Sequence, residues 1–220
     1  MTNELETHIK ASKLRNYDSE RGARSYRADY DNKLHRKISD RLERRIFDKF
    51  LRHLGPCESI LDLPCGAGRL HGLLRDHAPS IIEADFSSTM LVLNREHHEE
   101  LNDRYLRCSA LEIPMAPATV DLVVSVRLSH HINTPEGRRR HLEELFRVAH
   151  RAVICTWFSE TSIKNLWRRA RSVFSNKRRK NTMHNRHVRD IATACGFRTT
   201  RAVPLARLGS GHMFGLFERA

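Results

Sequence analysis

The chain has 220 residues, and 39 lysines and arginines against 26 acidic residues give it a formal net charge of +13. This length suits one α/β domain with a full core, and the charge favours acidic partners: nucleic acid, an anionic membrane surface or an acidic substrate. Five scattered cysteines without C-x-x-C spacing indicate reduced thiols and argue against a disulfide framework or a zinc site.

A helical pattern begins at about Asp31, after a polar segment of 30 residues. Its apolar positions recur every three or four residues and fall on one face, with arginine and lysine on the other. These positions are Leu34, Ile38, Leu42, Ile46, Phe47, Phe50, Leu51 and Leu54. Gly55-Pro56 ends the predicted helix, because proline cannot continue it.

Strands and helices alternate through the rest of the chain. In order, we predict a strand at about 59–63, a helix at about 68–77, a strand at about 81–85, a helix capped by Ser87 or Ser88, a weaker strand at about 104–108, a strand at 120–126, a helix from Pro135, a strand at 152–158, a helix at about 187–195, and strands at about 198–206 and 211–218. This alternation predicts an α/β fold with a parallel sheet wound on both faces, and the closing strand pair predicts an antiparallel edge.

The turn after the first strand, Asp62-Leu-Pro64-Cys-Gly66-Ala-Gly68, has the composition of a nucleotide-binding corner. Glycines allow the backbone to approach a ligand closely, because no Cβ intervenes. The third glycine of the dinucleotide fingerprint is absent, since Arg69, Leu70 and His71 follow Gly68. The Gly-Lys-Ser/Thr of a phosphate-binding P-loop is absent as well.

This turn resembles the first motif of the class I S-adenosylmethionine-dependent methyltransferases, of the type that acts on small molecules. Three later segments continue the resemblance in order: Asp85-Phe-Ser-Ser-Thr-Met-Leu91, Ser109-Ala-Leu-Glu-Ile-Pro114 and Val120-Asp-Leu-Val-Val-Ser-Val-Arg-Leu-Ser-His-His131. Together the segments cover roughly residues 26–158. The resemblance implies a Rossmann-like fold with a seven-stranded, mostly parallel sheet, an antiparallel edge strand and helices on both faces, and S-adenosylmethionine as cofactor.

Two residues depart from the family pattern. Pro64 stands where a glycine is usual, and Ser109 stands where an acid often lies beside the adenine amino group. Proline favours an extended Leu63 but removes a backbone N–H donor from the turn, while Ser109 still offers a hydroxyl. Both changes are compatible with cofactor binding and are expected to weaken it.

The resemblance assigns the cofactor to a defined set of residues. Asp85, at a strand end, suits the two ribose hydroxyls, with a helix N-cap as the alternative role. Asp62 holds the turn or meets the cofactor's amino group through water. The full predicted set is Tyr30, Asp62, Pro64, Gly66, Gly68, Asp85, Phe86, Ser109, Ala110, Leu111 and Val126.

The implied reaction is an in-line displacement at the sulfonium methyl, in which proximity and alignment supply most of the acceleration. Arg127, His130 and His131 are the candidate catalytic residues, since they follow the fourth strand where ligands bind in such sheets. Either histidine is suited to deprotonate a hydroxyl, and packing is the alternative role. Arg127 is suited to hold an acidic group, or to pair with an acid of the N-terminal helix.

A basic amphipathic segment at 164–180 combines a Trp167 and Phe174 face with clustered arginines and lysines. It predicts a lid over the acceptor pocket, a contact with an anionic membrane, or an RNA-binding arm that extends to about 189. His184 and His187 lie in a basic stretch that does not match the ligand spacing of a metal site, so we predict no metal site.

We therefore expect one methyltransferase domain over 1–220: a helical cap (1–55), a cofactor-binding core (56–158), a basic insertion (159–187), and a C-terminal helix and strand pair (188–220). A small-molecule or lipid-like acceptor is expected, with RNA methylation and a non-catalytic interaction module as alternatives. The sequence shows no apolar run of membrane-spanning length and no secretory signal, so a cytoplasmic location is expected, with peripheral contact at the inner membrane left open. The oligomeric state is not predicted.

Overall fold

The computed structural model describes residues 19, 22, 34–98, 103–162, 181–206 and 210–220. The helices of this part are α1 (Leu34–Leu54), α2 (His71–Arg75), α3 (Ser88–His97), α4 (Pro135–Val148) and α5 (Asn185–Ala194), with a 3-10 helix at Ser129–His131. The strands are β1 (Ser59–Asp62), β2 (Ser80–Asp85), β3 (Arg104–Arg107), β4 (Val120–Ser125), β5 (Ala149–Phe158), β6 (Phe197–Pro204) and β7 (His212–Arg219). Tyr30 and the basic segment 164–180 lie outside the described residues.

In these ranges seven strands form one sheet in the order β3-β2-β1-β4-β5-β7-β6. The pairs among β1 to β5 are parallel, whereas β7 runs antiparallel to both of its neighbours. This confirms the predicted α/β fold with a mostly parallel seven-stranded sheet. The antiparallel strand β7 is inserted between β5 and β6.

Helix α1 is long and amphipathic, and its apolar face is packed in the core. Phe47, Phe50, Leu51 and Leu54 are buried, whereas Ile38, which the periodicity places on the same face, is 49% exposed. The helix ends at the predicted place, where Gly55 has a φ of 71° and donates its N–H to the Leu51 carbonyl at 2.9 Å. No described helix is both long enough and apolar enough to cross a bilayer.

The core has two halves, one on each face of the sheet, because alternate residues of the parallel strands point to opposite faces. Leu122, Val124 and Ile154 pack on the α1 side. Val123 and Val153 pack on the other side with α4 and α5. Both faces are therefore covered, as the continuous apolar strands predict.

The parallel strands bring their carboxyl ends to one edge of the sheet. In register, Asp62 of β1 pairs with Glu83 of β2 and with Val124 of β4. Asp85 lies two residues further along β2. The predicted turn, the predicted ribose ligand and the loop after β4 therefore share this edge.

Candidate active site

The turn after β1 is a tight backbone bend with several fixed contacts. The Leu63-Pro64 peptide bond is cis, and Gly66 and Gly68 have positive φ angles of 55° and 74°. The Cys65 N–H donates to the Ala84 carbonyl at 2.9 Å, which joins the turn to β2. These φ values explain why glycine stands at both positions, since other residues rarely adopt them.

The two glycines face different surroundings. A Cβ added at Gly66 would meet no atom of the described residues within 4 Å, so these residues leave this side of the turn open. A Cβ added at Gly68 would lie 2.1 Å from Asn94 Oδ1 and 2.6 Å from the His98 ring. Gly66 therefore leaves room for a ligand, whereas Gly68 allows α3 to pack beneath the turn.

Polar side chains support the turn from below. The His98 ring stacks on His71, with ring centroids 4.2 Å apart. His71 Nδ1 lies 2.9 Å from the buried Glu83 carboxylate, and its Nε2 lies 3.4 Å from Asp103. This network fixes α2 and α3 against β2 under the predicted cofactor site.

Asp85 is oriented by two backbone amides. Its Oδ2 accepts from the Gly66 N–H at 3.0 Å and its Oδ1 accepts from the Ser87 N–H at 2.9 Å. Ser87, not Asp85, caps α3, because the Ser87 hydroxyl accepts from the Met90 N–H. The carboxylate is 9% exposed. It links the turn to the end of β2, and a carboxylate oxygen is the kind of acceptor that a ribose hydroxyl needs.

Asp62 ends β1 beneath the turn and is 1% exposed. Burial, followed by the nearby Glu83 carboxylate, raises the pKa of Asp62 well above its ordinary value. Its Oδ1 has no hydrogen-bond partner among the described residues. A buried polar atom of this kind is normally satisfied, so a donor such as the amino group of S-adenosylmethionine, directly or through water, fits here.

The segment after β3 forms a small apolar patch beside Asp85. The Ser109 hydroxyl accepts from the Leu111 N–H at 3.1 Å, which closes a local turn. Leu111 is buried against Ile132, with Phe86 packed at the edge. Ser109 and Ala110 are buried too. The Ser109 hydroxyl therefore accepts from the backbone here. Phe86 and Leu111 belong to the apolar patch, and their contact with adenine stays a prediction.

His141 of α4, which the sequence analysis does not single out, anchors this segment. It is 1% exposed, and its Nδ1 lies 3.1 Å from the Ala110 carbonyl while its Nε2 lies 3.3 Å from Ser125 Oγ. Since a carbonyl only accepts, Nδ1 carries the proton and Nε2 accepts from the Ser125 hydroxyl. Burial lowers the pKa of His141 to about 4, so the ring is neutral at physiological pH.

Val126 and Arg127 follow β4. Val126 is buried in the core on the α1 side. Arg127 has a positive φ of 60°, and its N–H donates to Thr156 Oγ1 at 2.7 Å. Its guanidinium Nε donates to Glu43 Oε1 at 3.0 Å and Oε2 at 3.3 Å. The structure thus places Arg127 in an ion pair with an acid of the N-terminal helix, the alternative to its predicted acceptor-binding role.

Glu43 is 0% exposed, and a second arginine lies beside its carboxylate. Arg69, directly after Gly68, lies 3.2 Å from Glu43 and 2.5 Å from Asp40. Glu43 therefore joins α1 to the cofactor turn and to the loop after β4. An acid among the apolar positions of a helix is the sequence signal that indicates such a buried pair.

The two candidate histidines lie in a cluster of rings at the carboxyl ends of β4 and β5. The His130 and His131 rings have centroids 4.0 Å apart, and His130 contacts Phe158 edge-on at 4.6 Å. Phe158 also contacts His212 of β7 at 4.0 Å. His130 and His131 are half-buried, and their catalytic role stays a prediction.

The structure therefore gathers the predicted residues into two neighbouring groups. Asp62, Gly66 and Asp85 are joined through the turn, and the segment 109–111 lies beside them. Arg127 and the histidine pair follow the neighbouring strand β4. Glu43, Arg69 and His141 complete the arrangement. Among the described residues, the space beside Gly66 is open and Asp62 Oδ1 has no hydrogen-bond partner, and both features fit a bound S-adenosylmethionine.

Comparison with known proteins identifies the fold. Residues 60–152 match the family model described as a methyltransferase domain. The chain is also similar to the magnesium protoporphyrin IX methyltransferase of Synechocystis with bound SAH, with a TM-score of 0.77, 15% identity, and coverage of 95% of this chain and 99% of that one. The N-methyltransferase NodS of Bradyrhizobium japonicum, in complex with SAH, overlaps with a TM-score of 0.65, 12% identity, and coverage of 86% and 90%.

Sequence relatives point to the same class. The tRNA (carboxymethyluridine(34)-5-O)-methyltransferase ALKBH8 of Mus musculus is 30% identical over 120 residues, which are 53% of this chain and 17% of the mouse protein. The tRNA (carboxymethyluridine(34)-5-O)-methyltransferase of Arabidopsis thaliana is 28% identical over 124 residues, 54% of this chain and 29% of that protein. The chain thus spans less than a third of these relatives. Residues 60–152 are therefore a methyltransferase domain, and the chain has the fold of methyltransferases whose structures hold SAH.

Proposed function

We propose that this chain transfers the methyl group of S-adenosylmethionine to an oxygen of a tRNA nucleoside. The observation that carries this proposal is the similarity of about half of the chain to proteins named as tRNA (carboxymethyluridine(34)-5-O)-methyltransferases. The net charge of +13 supports an anionic acceptor, because basic proteins attract nucleic acid at long range. This departs from the small-molecule or lipid-like acceptor that we expect from the sequence.

The cofactor supplies an activated sulfonium methyl group. The chain's own residues then need to bind the cofactor and the acceptor and to align them, and this alignment accounts for most of the acceleration in such a displacement. Asp62, Gly66 and Asp85 hold the cofactor, while Phe86 and Leu111 cover the adenine. The rings of His130, His131 and Phe158 border the acceptor side.

The segment from Val126 to Thr134 contains no aspartate or glutamate, so His130 and His131 are its candidate bases. A carboxylate acceptor needs no base, since it is ionised at neutral pH, whereas a hydroxyl does. The names of the relatives include a carboxymethyl group. We therefore favour a carboxylate oxygen as the acceptor, and in that case the histidines shape the pocket.

Transfer of a tritiated methyl group from S-adenosylmethionine tests the proposal. Purified tRNA and a cell extract freed of macromolecules are the two acceptor pools, and Asp85→Ala is the inactive control. We expect the label in nucleosides after digestion of the tRNA. Mild alkali should release it as methanol, because methylation of a carboxylate gives a methyl ester. Label only in the small-molecule pool would contradict the proposal.

A small-molecule acceptor is the second candidate. One observation favours it: the structural overlap with the magnesium protoporphyrin IX methyltransferase covers nearly the whole of both chains. The same experiment separates the candidates, because each predicts label in a different pool.

A further inference from the structure

Four basic residues form a line along the outer side of α1. Lys37, Arg41, Arg45 and Lys49 recur at every fourth position, and all four side chains are exposed. Residues four apart on a helix are neighbours on one face, about 6 Å apart along the axis. We call these four residues the cationic ridge, and it is about 18 Å long.

The ridge has no anionic partner within the described part of the chain: no described carboxylate lies within ion-pair distance of its four charges. The acids of α1 are engaged elsewhere. Asp40 pairs with Arg44 and Arg69, and Asp48 pairs with Arg52. Glu43 pairs with Arg127 and Arg69. Four like charges in a row repel one another, so an external anion is favoured along this line.

The ridge is fixed relative to the active site. Glu43 binds Arg127 at the end of β4, and Arg44, next to Arg45 of the ridge, donates to the carbonyl of Arg69 in the cofactor turn. An anion held by the ridge is thus held at a set position relative to the cofactor turn. Such positioning contacts to phosphates orient a nucleic acid without reading its sequence.

We propose that the cationic ridge binds the phosphate backbone of the RNA acceptor and so positions it for methyl transfer; this rests on the proposed function. RNA is favoured over an anionic membrane by the packing of α1. A helix that lies on a membrane inserts its apolar face, but the apolar face of α1, with Phe47, Phe50 and Leu54, is buried in the core. The large apolar side chains exposed in the described ranges are Ile38 and Val92, on different helices.

The test compares two full-length variants that each lose four positive charges. The ridge variant is Lys37→Gln, Arg41→Gln, Arg45→Gln and Lys49→Gln. The control variant is Arg104→Gln, Arg139→Gln, Arg198→Gln and Arg201→Gln, whose arginines are exposed on β3, α4 and β6. Because none of these arginines lies on α1 or in the basic segment that ends at about 189, the control matches the charge change but not the place. Binding of purified tRNA is measured at several salt concentrations.

We expect the ridge variant to bind tRNA about 10- to 100-fold more weakly than wild type at 0.1 M salt, while the control changes by about threefold or less. The slope of log affinity against log salt is expected to fall in magnitude by about 3 for the ridge variant, because four phosphate contacts are lost. Unchanged affinity for SAH shows that the variant is folded. An equal loss of tRNA affinity in both variants, or no loss of tRNA affinity in the ridge variant, would overturn the inference.

Two further measurements keep the inference apart from the proposed function. Vesicles of phosphatidylglycerol and phosphatidylcholine replace the tRNA in one arm, and loss of vesicle binding with tRNA binding unchanged in the ridge variant would overturn the RNA assignment. Methyl transfer is measured separately at saturating tRNA. If the ridge variant binds tRNA normally and still methylates it, the role of the ridge is contradicted and the proposed function stands. If tRNA binds through the ridge but is never methylated, the proposed function is contradicted and the role of the ridge stands.

Discussion

Arg127 and Glu43 lie 84 positions apart in the chain, and the guanidinium of Arg127 donates to both carboxylate oxygens of Glu43. Glu43 is fully buried, and the Arg127 side chain is 22% exposed. The pair fastens α1 to the loop that carries the candidate histidines. An arginine at a strand end that could have bound substrate thus holds the cap helix in place.

Substitution of Glu43 by glutamine is expected to destabilise the protein. It leaves the guanidinium groups of Arg127 and Arg69 without their carboxylate, and breaking such a buried pair costs about 2–4 kcal/mol of the free energy of unfolding. Chemical denaturation measures the loss. Glu112→Gln is the matched control, because Glu112 is 66% exposed and lies 3.9 Å from Arg140, and its loss is expected to stay within about 0.5 kcal/mol. Similar losses in the two variants would contradict the assigned role of Glu43.

His141 is expected to make stability depend on pH. Burial lowers its pKa from an ordinary 6.5 to about 4, so the unfolded chain binds a proton between these values and the folded chain does not. Stability from this group is therefore present above about pH 6.5 and is lost as the pH falls towards 4, by about 3 kcal/mol in total.

The His141→Asn variant isolates this effect. Its amide retains a donor for the Ala110 carbonyl but does not titrate. Between pH 7 and pH 4, the midpoint temperature of thermal unfolding is expected to fall less steeply for the variant than for wild type. If stability falls equally with pH in wild type and variant, the assigned pKa shift of His141 is contradicted.

Gly68 is expected to tolerate no side chain. An alanine Cβ there would lie 2.1 Å from Asn94 Oδ1, and the φ of 74° is strained for any L residue. Gly68→Ala should lower the free energy of unfolding by about 1–3 kcal/mol. Gly72 lies inside α2, and no atom of the described residues lies within 4 Å of an added Cβ, so Gly72→Ala should be neutral or stabilising by about 0.5–1 kcal/mol. Denaturation midpoints that move equally for both glycines would refute this.

The order of the elements could be predicted because the signals are local. The apolar periodicity of α1, the caps Ser87 and Thr134, and the continuous apolar run of β4 all act within a few residues. The observed ends of helices and strands differ from the predicted ends where tertiary contacts determine them. The predicted helix at 68–77 is shorter, at His71–Arg75, because Gly68 belongs to the turn. Strand β5 begins at Ala149, ahead of the predicted 152, since it pairs there with Val120.

The site was predictable only in part. The residues that carry the family resemblance, such as Asp62, Gly66 and Asp85, lie together at the expected sheet edge. The partner of Arg127 and the anchor of Ala110 were not identified, because Glu43 and His141 make contacts between distant segments. Each is a polar residue on the apolar face of a helix, and that pattern indicates a buried partner without saying which one.

Titration with SAH decides whether the turn after β1 is a cofactor site. Calorimetric titration of the wild-type protein with SAH should give saturable binding. Asp85→Ala should weaken it at least about tenfold, or 1.4 kcal/mol, because the Asp85 carboxylate accepts from the Gly66 N–H and is the expected ligand of the ribose hydroxyls. Asp76→Ala, an exposed acid at the end of α2, should bind as wild type does. No binding by wild type at high micromolar concentration, or an affinity that Asp85→Ala leaves unchanged, would contradict the account.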